Sequence, residues 1–281
     1  MDTTAHTLSQ ALAGLFFVIF AAFGAPRASA EGLKLDRVGW DALEYRASKL
    51  LVTAEADVTL EAKGSEVLLT LGSEVLGRRS ETRLWVDAAT GRSVREERLK
   101  LHREAELRAY VYKPDHALKI RYRERPSAQG RAPIESWIEK SQQRQPFGTP
   151  GEPLPVDVTT PSALLYLLAA SPLEARGDLF EAPIFADEKL VTARAEVVEV
   201  ISYSGEIAMR GGGVHRPGDT LRIALTGRDP AGGAVDLGLL GLEGDLEILV
   251  ERGTRLPLAI RGAMPVVGTL DVKLRAASLT N

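Results

Sequence analysis

The sequence predicts a mainly β protein: a strongly curved antiparallel sheet, or open β-barrel, with one buried central helix. Three observations carry this expectation. Apolar and polar residues alternate with period two in run after run, as in Leu107, Ala109, Val111 against Arg108, Tyr110, Tyr112. Short turn sequences join the runs, and no βαβ spacing appears. One segment reads as a convincing helix, and it is apolar nearly all round.

Composition sets outer limits. The chain has 281 residues, 44 % hydrophobic and 26 % charged, which are ordinary globular values. A net charge of -3 excludes a strongly basic nucleic-acid binder of the histone type. The absence of cysteine excludes disulfides, thiolate metal sites, a Cys nucleophile and a lipid-modified N-terminal cysteine.

In chain order, residues 11–25 form an uncharged apolar run, stopped by Pro26 and Arg27. It is shorter than the roughly 20 residues a membrane span needs. Ala28-Ser29-Ala30 then reads as a cleavage site, so residues 1–30 are expected to be a signal peptide removed after Ala30. No later run is long enough to span a membrane as a helix. The mature chain, 31–281, is expected in the periplasm as a single β-rich domain.

Alternating strands follow around Leu84-Trp85-Val86, Leu107–Val111 and Leu118–Tyr122. Asp87-Ala88-Ala89-Thr90-Gly91 joins two of them, with Gly91 where a positive φ is needed. Lys113-Pro114-Asp115-His116 reads as a type I turn. Residues 126–158 break the pattern with six prolines and a polar stretch, and are expected to be a long loop or lid, partly docked through Trp137 and Ile138.

The helix comes next. Thr160 is placed to cap it, Pro161 occupies its first position, and Ser171-Pro172 ends it. Gly211-Gly212-Gly213 reads as a hairpin between strands near 195–203 and 219–227. Alternation resumes at Leu221–Leu225, Leu246–Val250, Leu256–Ile260 and Leu270–Leu274. Gly238, Gly241 and Gly244 lack the spacing of a dinucleotide loop and read as turn or bulge glycines.

No motif argues for an enzyme. His102, His116 and His215 lie in separate segments without ligand spacing. Neither a nucleophile elbow nor a metalloprotease helix motif occurs. Only a buried titratable cluster in a cleft would revive that reading. Residues 92–125 are rich in Arg and Lys, but interleaved acids make cross-strand pairing the expectation. The one-sided stretch Lys119–Arg125 leaves room for a weak contact with an anionic surface.

Four segments, taken together and in order, resemble an exported bacterial family known as domain-of-unknown-function family 3108. They are Leu43–Ser48, Leu84–Val94, the helix Pro161–Leu167 with Leu173–Asp178, and Leu246–Ile260. The resemblance implies a curved sheet similar to those of periplasmic lipoprotein carriers. It supplies no catalytic residues.

The function expected from these readings is a non-catalytic envelope module that binds a lipid-like or hydrophobic ligand. Its lining would be Leu164, Leu165, Tyr166 and Leu168 on the helix, with Trp85 and Trp137. The alternative is a structural or interaction protein of the envelope with a filled core and no small ligand. No cofactor or nucleic-acid partner is expected.

Overall fold

The computed structural model describes residues 33–49, 52–75, 77–101, 105–124, 132–148, 155, 157–264 and 267–280. The expected signal peptide lies outside these residues, as does His102. The fold is mainly β: one large sheet of 17 strands and one short helix among the described residues.

The first half of the chain is a meander. Strands β1 (Trp40–Lys49), β2 (Val52–Lys63), β3 (Glu66–Val75), β4 (Arg78–Asp87) and β5 (Ser93–Leu101) pair in succession. The run continues through β6 (Glu106–Tyr112), β7 (His116–Arg123) and β8 (Ile138–Pro146). A 3-10 turn, Pro161–Ala163, leads into helix α1 (Leu164–Ala170).

The second half returns with β9 (Leu179–Ala186), β10 (Lys189–Ser202), the short β11 (Ile207–Met209) and β12 (Val214–His215), and β13 (Asp219–Arg228). It ends with β14 (Ala234–Val235), β15 (Glu243–Glu251), β16 (Pro257–Met264) and β17 (Gly268–Leu279). The last strand pairs with the first, so β1 lies between β2 and β17. Pairing between the strands is antiparallel except where β11 runs parallel to the end of β17, and an isolated parallel bridge joins Thr159 to Ile184 of β9.

The sheet is not closed or strongly curled. Strands β8 and β9 are its two ends and do not pair with each other. Strong curvature was expected because a helix apolar all round needs burial on every side. Connecting segments supply that burial instead. Leu33, Leu237, Leu239 and Leu242 join the helix in one continuous apolar cluster with residues of β1, β3, β9, β13 and β16. Gly91 lets the β4–β5 hairpin approach: its φ is +73°, and a Cβ there would lie 2.7 Å from side-chain atoms of Leu167 and Leu33.

The helix starts differently from its expected cap. Thr160 makes no capping hydrogen bond. Its hydroxyl donates instead to Glu96 at 3.4 Å. At the other end, Arg255 donates to the carbonyls of Leu168, Ala169, Ser171 and Leu173. Leu168 and Ala169 are among the last carbonyls of the helix, which have no intrahelical partner, and Ser171 and Leu173 lie just beyond it.

Residues 126–158 are not simply a loop. They contain β8, which pairs with β7 along its length. This strand carries almost no apolar pattern because it is an edge with largely exposed side chains.

Facing also departs from expectation on β5–β7. Across the sheet, Leu84 sits opposite Glu96, Glu96 opposite Tyr110, and Tyr110 opposite Lys119. The helix-side face therefore turns polar at β5. Lys119 is 8 % exposed, while its neighbours Leu118 and Ile120 are only half-buried on the outer face.

Candidate functional site

The structure brings four of the six expected ligand-lining residues together, but as core. Leu164, Leu165, Tyr166 and Leu168 are between 0 % and 1 % exposed within the main apolar cluster. Burial pushes the Tyr166 phenol up to about 12. Its hydroxyl donates at 3.4 Å to the Ala88 carbonyl.

The two tryptophans lie elsewhere. Trp85 points to the outer face, between the inward-facing Leu84 and Val86, with the Arg95 guanidinium 5.2 Å from its ring centroid. Trp137 is buried just ahead of β8 and donates from Nε1 to the Ala132 carbonyl at 3.0 Å.

A polar hub at the start of the helix was not read from the sequence. Glu96 is fully buried. Its Oε1 accepts from Ser162 at 2.7 Å and Thr160 at 3.4 Å. Its Oε2 accepts from Arg98 at 2.9 Å and the Tyr112 hydroxyl at 3.1 Å. The sequence counts Glu96 among the interleaved acids expected to pair across strands, and only the tertiary register brings Ser162 and Thr160 to it.

This hub borders a cleft of about 380 Å³ lined by Thr82, Arg98, Ser162, Asp187, Asp236 and Glu243. Both oxygens of the buried carboxylate are already engaged. Burial works against the Arg98 cation, but Glu96 more than offsets it, so its pKa lies above the ordinary arginine value. Burial, reinforced by Glu96, holds the Tyr112 phenol well above its ordinary range. None of these effects makes a group ready to exchange a proton near neutral pH.

The basic stretch is largely paired within the chain. Arg108 and Arg121 both donate to Glu106 at 2.8 Å. Lys119 bonds Glu188, which also accepts from Gln145 at 2.8 Å. These contacts tie the β9–β10 turn to β7 and β8. The described histidines are paired too: His116 with Asp115 at 2.6 Å, and His215 with Glu251 at 2.8 Å. No cluster of metal-ligating groups occurs among the described residues.

The outer face of β5–β7 carries a half-buried apolar patch. Leu99, Leu107 and Tyr122 form one cross-strand row. Val111 and Leu118 face each other four residues along, next to Arg95 and Trp85. Ile120 and Ala109 lie between these rows. This patch is the surface whose composition is hardest to explain by solvation alone.

No family model, curated protein or solved structure matches the chain.

Proposed function

We propose that the chain is a non-catalytic binding module of the cell envelope, seating a lipid-like or hydrophobic partner on the outer face of β5–β7. The observation that supports this reading is the reversal of facing. Leu99, Leu107, Val111, Leu118, Ile120 and Tyr122 stay half-exposed while Glu96 and Lys119 are buried. The helix, by contrast, offers a ligand no space, since its side chains already fill the core.

Export through residues 1–30, and kinship with domain-of-unknown-function family 3108, belong to the same proposal.

Size limits the strength of binding. Three strands at their usual spacing present roughly 200 Å² of outer face. Burying it gives about 5 kcal/mol, and association costs at least about 4 kcal/mol. The contact is therefore transient and carrier-like.

A fluorescent long-chain fatty acid titrated into delipidated protein tests the reading. Saturable uptake that Leu118→Glu and Ile120→Glu abolish, while the fold melts unchanged, is the expected result. Uptake indifferent to both changes, or no uptake, overturns the lipid reading. No uptake favours the second reading, an envelope interaction protein with a filled core and an apolar protein surface as partner.

A further inference from the structure

A cleft of about 590 Å³ lies away from both the helix and the β5–β7 patch. Its base is the outer face of β15–β17. Two cross-strand rows run over it: Leu249, Ala259 and Lys273, then Glu247, Arg261 and Asp271. Its other wall is the segment Ile201–Glu206, which leaves β10 on the way to β11.

The lining falls into two sets. One set is locked. Arg261 holds Asp271 through two hydrogen bonds, at 2.7 and 3.3 Å, and Glu206 accepts two from Arg216. The other set is free of close hydrogen bonds, with Glu247 held only in a long ion pair to Arg222. The hydroxyls of Ser202, Tyr203 and Ser204 and the Lys273 ammonium hydrogen-bond no other described residue. Glu247 reaches Arg222 Nε only at 3.9 Å, too long for a hydrogen bond, and that Nε is buried without a partner.

The Tyr203 ring is held in place by its own loop. A Cβ on Gly205 would lie 2.3 Å from the Tyr203 ring, so the ring rests against the glycine backbone. Burial raises the Tyr203 phenol above its ordinary pKa, which keeps it a neutral donor.

We propose that this cleft binds a neutral saccharide of one or two rings, through the uncommitted hydroxyls, Lys273 and Glu247 beside Tyr203. Three arguments favour that class. The volume lies within the usual range for small-ligand sites. Interleaved donors and acceptors match sugar hydroxyls, each of which both donates and accepts. The acids and bases nearly balance, so a strongly charged ligand meets no uncompensated partner, and the polar rim disfavours an acyl chain.

Amide chemical shifts of the full chain, recorded during titration with maltose, cellobiose and N,N′-diacetylchitobiose, test this. At least one sugar is expected to shift residues 201–206 and 259–273 saturably. Tyr203→Ala and Lys273→Met are each expected to weaken it about tenfold, the loss of one or two hydrogen bonds. Gly205→Ala, whose added methyl group would displace the Tyr203 ring from within the same lining, is expected to weaken it as well.

The site is overturned if no sugar in the panel shifts these amides, or if the dipeptide Ala-Gly binds there instead. Sugar binding indifferent to Tyr203→Ala and Lys273→Met overturns it too. Shift mapping on the unaltered chain decides the question even if a variant folds poorly. The outcome is independent of the fatty-acid titration, because the two surfaces share no residue.

Discussion

Arg255 has a left-handed backbone, with φ at +60°, and a buried guanidinium that serves four carbonyl oxygens. Burial pulls its pKa below the ordinary arginine value, yet the oxygens around it keep the cation satisfied. Arg255→Met leaves the Ala169, Ser171 and Leu173 carbonyls without this donor, while Leu168 keeps the Ser171 hydroxyl, and is expected to cost about 3 kcal/mol in urea unfolding at unchanged slope. Glu106 behaves as an acid-sensitive clasp. Hydrogen bonds from Arg108 and then Arg121 hold its carboxyl at about 2, against an ordinary 4.5. A depressed carboxylate contributes its full stability above the unfolded pKa and loses it as pH falls toward the folded one. Stability is therefore expected to decline between pH 4.5 and 2, and Glu106→Gln to flatten that part of the acid-denaturation curve. Neither role was legible in the sequence. Arg255 follows a turn in a strand-rich stretch, and its carbonyl partners lie 82 to 87 residues away. The helix residues Leu164, Leu165 and Tyr166 were legible as buried, but burial alone does not separate a ligand lining from packed core.

At the scale of elements, α1 was readable because proline, a continuous apolar run and a second proline bracket it. Its side chains now predict the cost of emptying the core. Leu168→Ala removes a fully buried side chain and is expected to cost about 3 kcal/mol of unfolding free energy. Tyr166→Phe removes only a long 3.4 Å hydrogen bond and is expected to change stability by less than about 1 kcal/mol. Strands β15–β17 were equally plain, since Leu246, Ile248 and Val250 alternate cleanly and all face the core. Alternation states that a strand has two faces, but not which face the fold will bury. On β6 and β7 that choice went to Tyr110, opposite Glu96, and Lys119, which bonds Glu188, and left Leu118 and Ile120 outward. The polar edge β8 escaped detection because it buries little and so has no pattern to show.

On the scale of the whole molecule, aromatic side chains just after β8 and on β9 touch without strand pairing. Phe147 and Phe185 meet edge-to-face with centroids 5.3 Å apart, and Tyr112 stacks alongside Phe147 at 6.5 Å. Lys119 and Glu188 bridge the same region. Phe185→Ala is expected to speed amide exchange in β8 well before it affects β1 or β17, as measured by hydrogen–deuterium exchange. Placing β1 between β2 and β17 has a consequence for synthesis. Until Gly268–Leu279 has been made, Trp40–Lys49 lacks its neighbour on one flank, and every earlier strand hangs from an incomplete seam. The newborn chain therefore stays vulnerable to pairing with other copies until Gly268–Leu279 emerges, and deleting that strand would harm yield far more than deleting a segment of equal length around the β11–β12 hairpin.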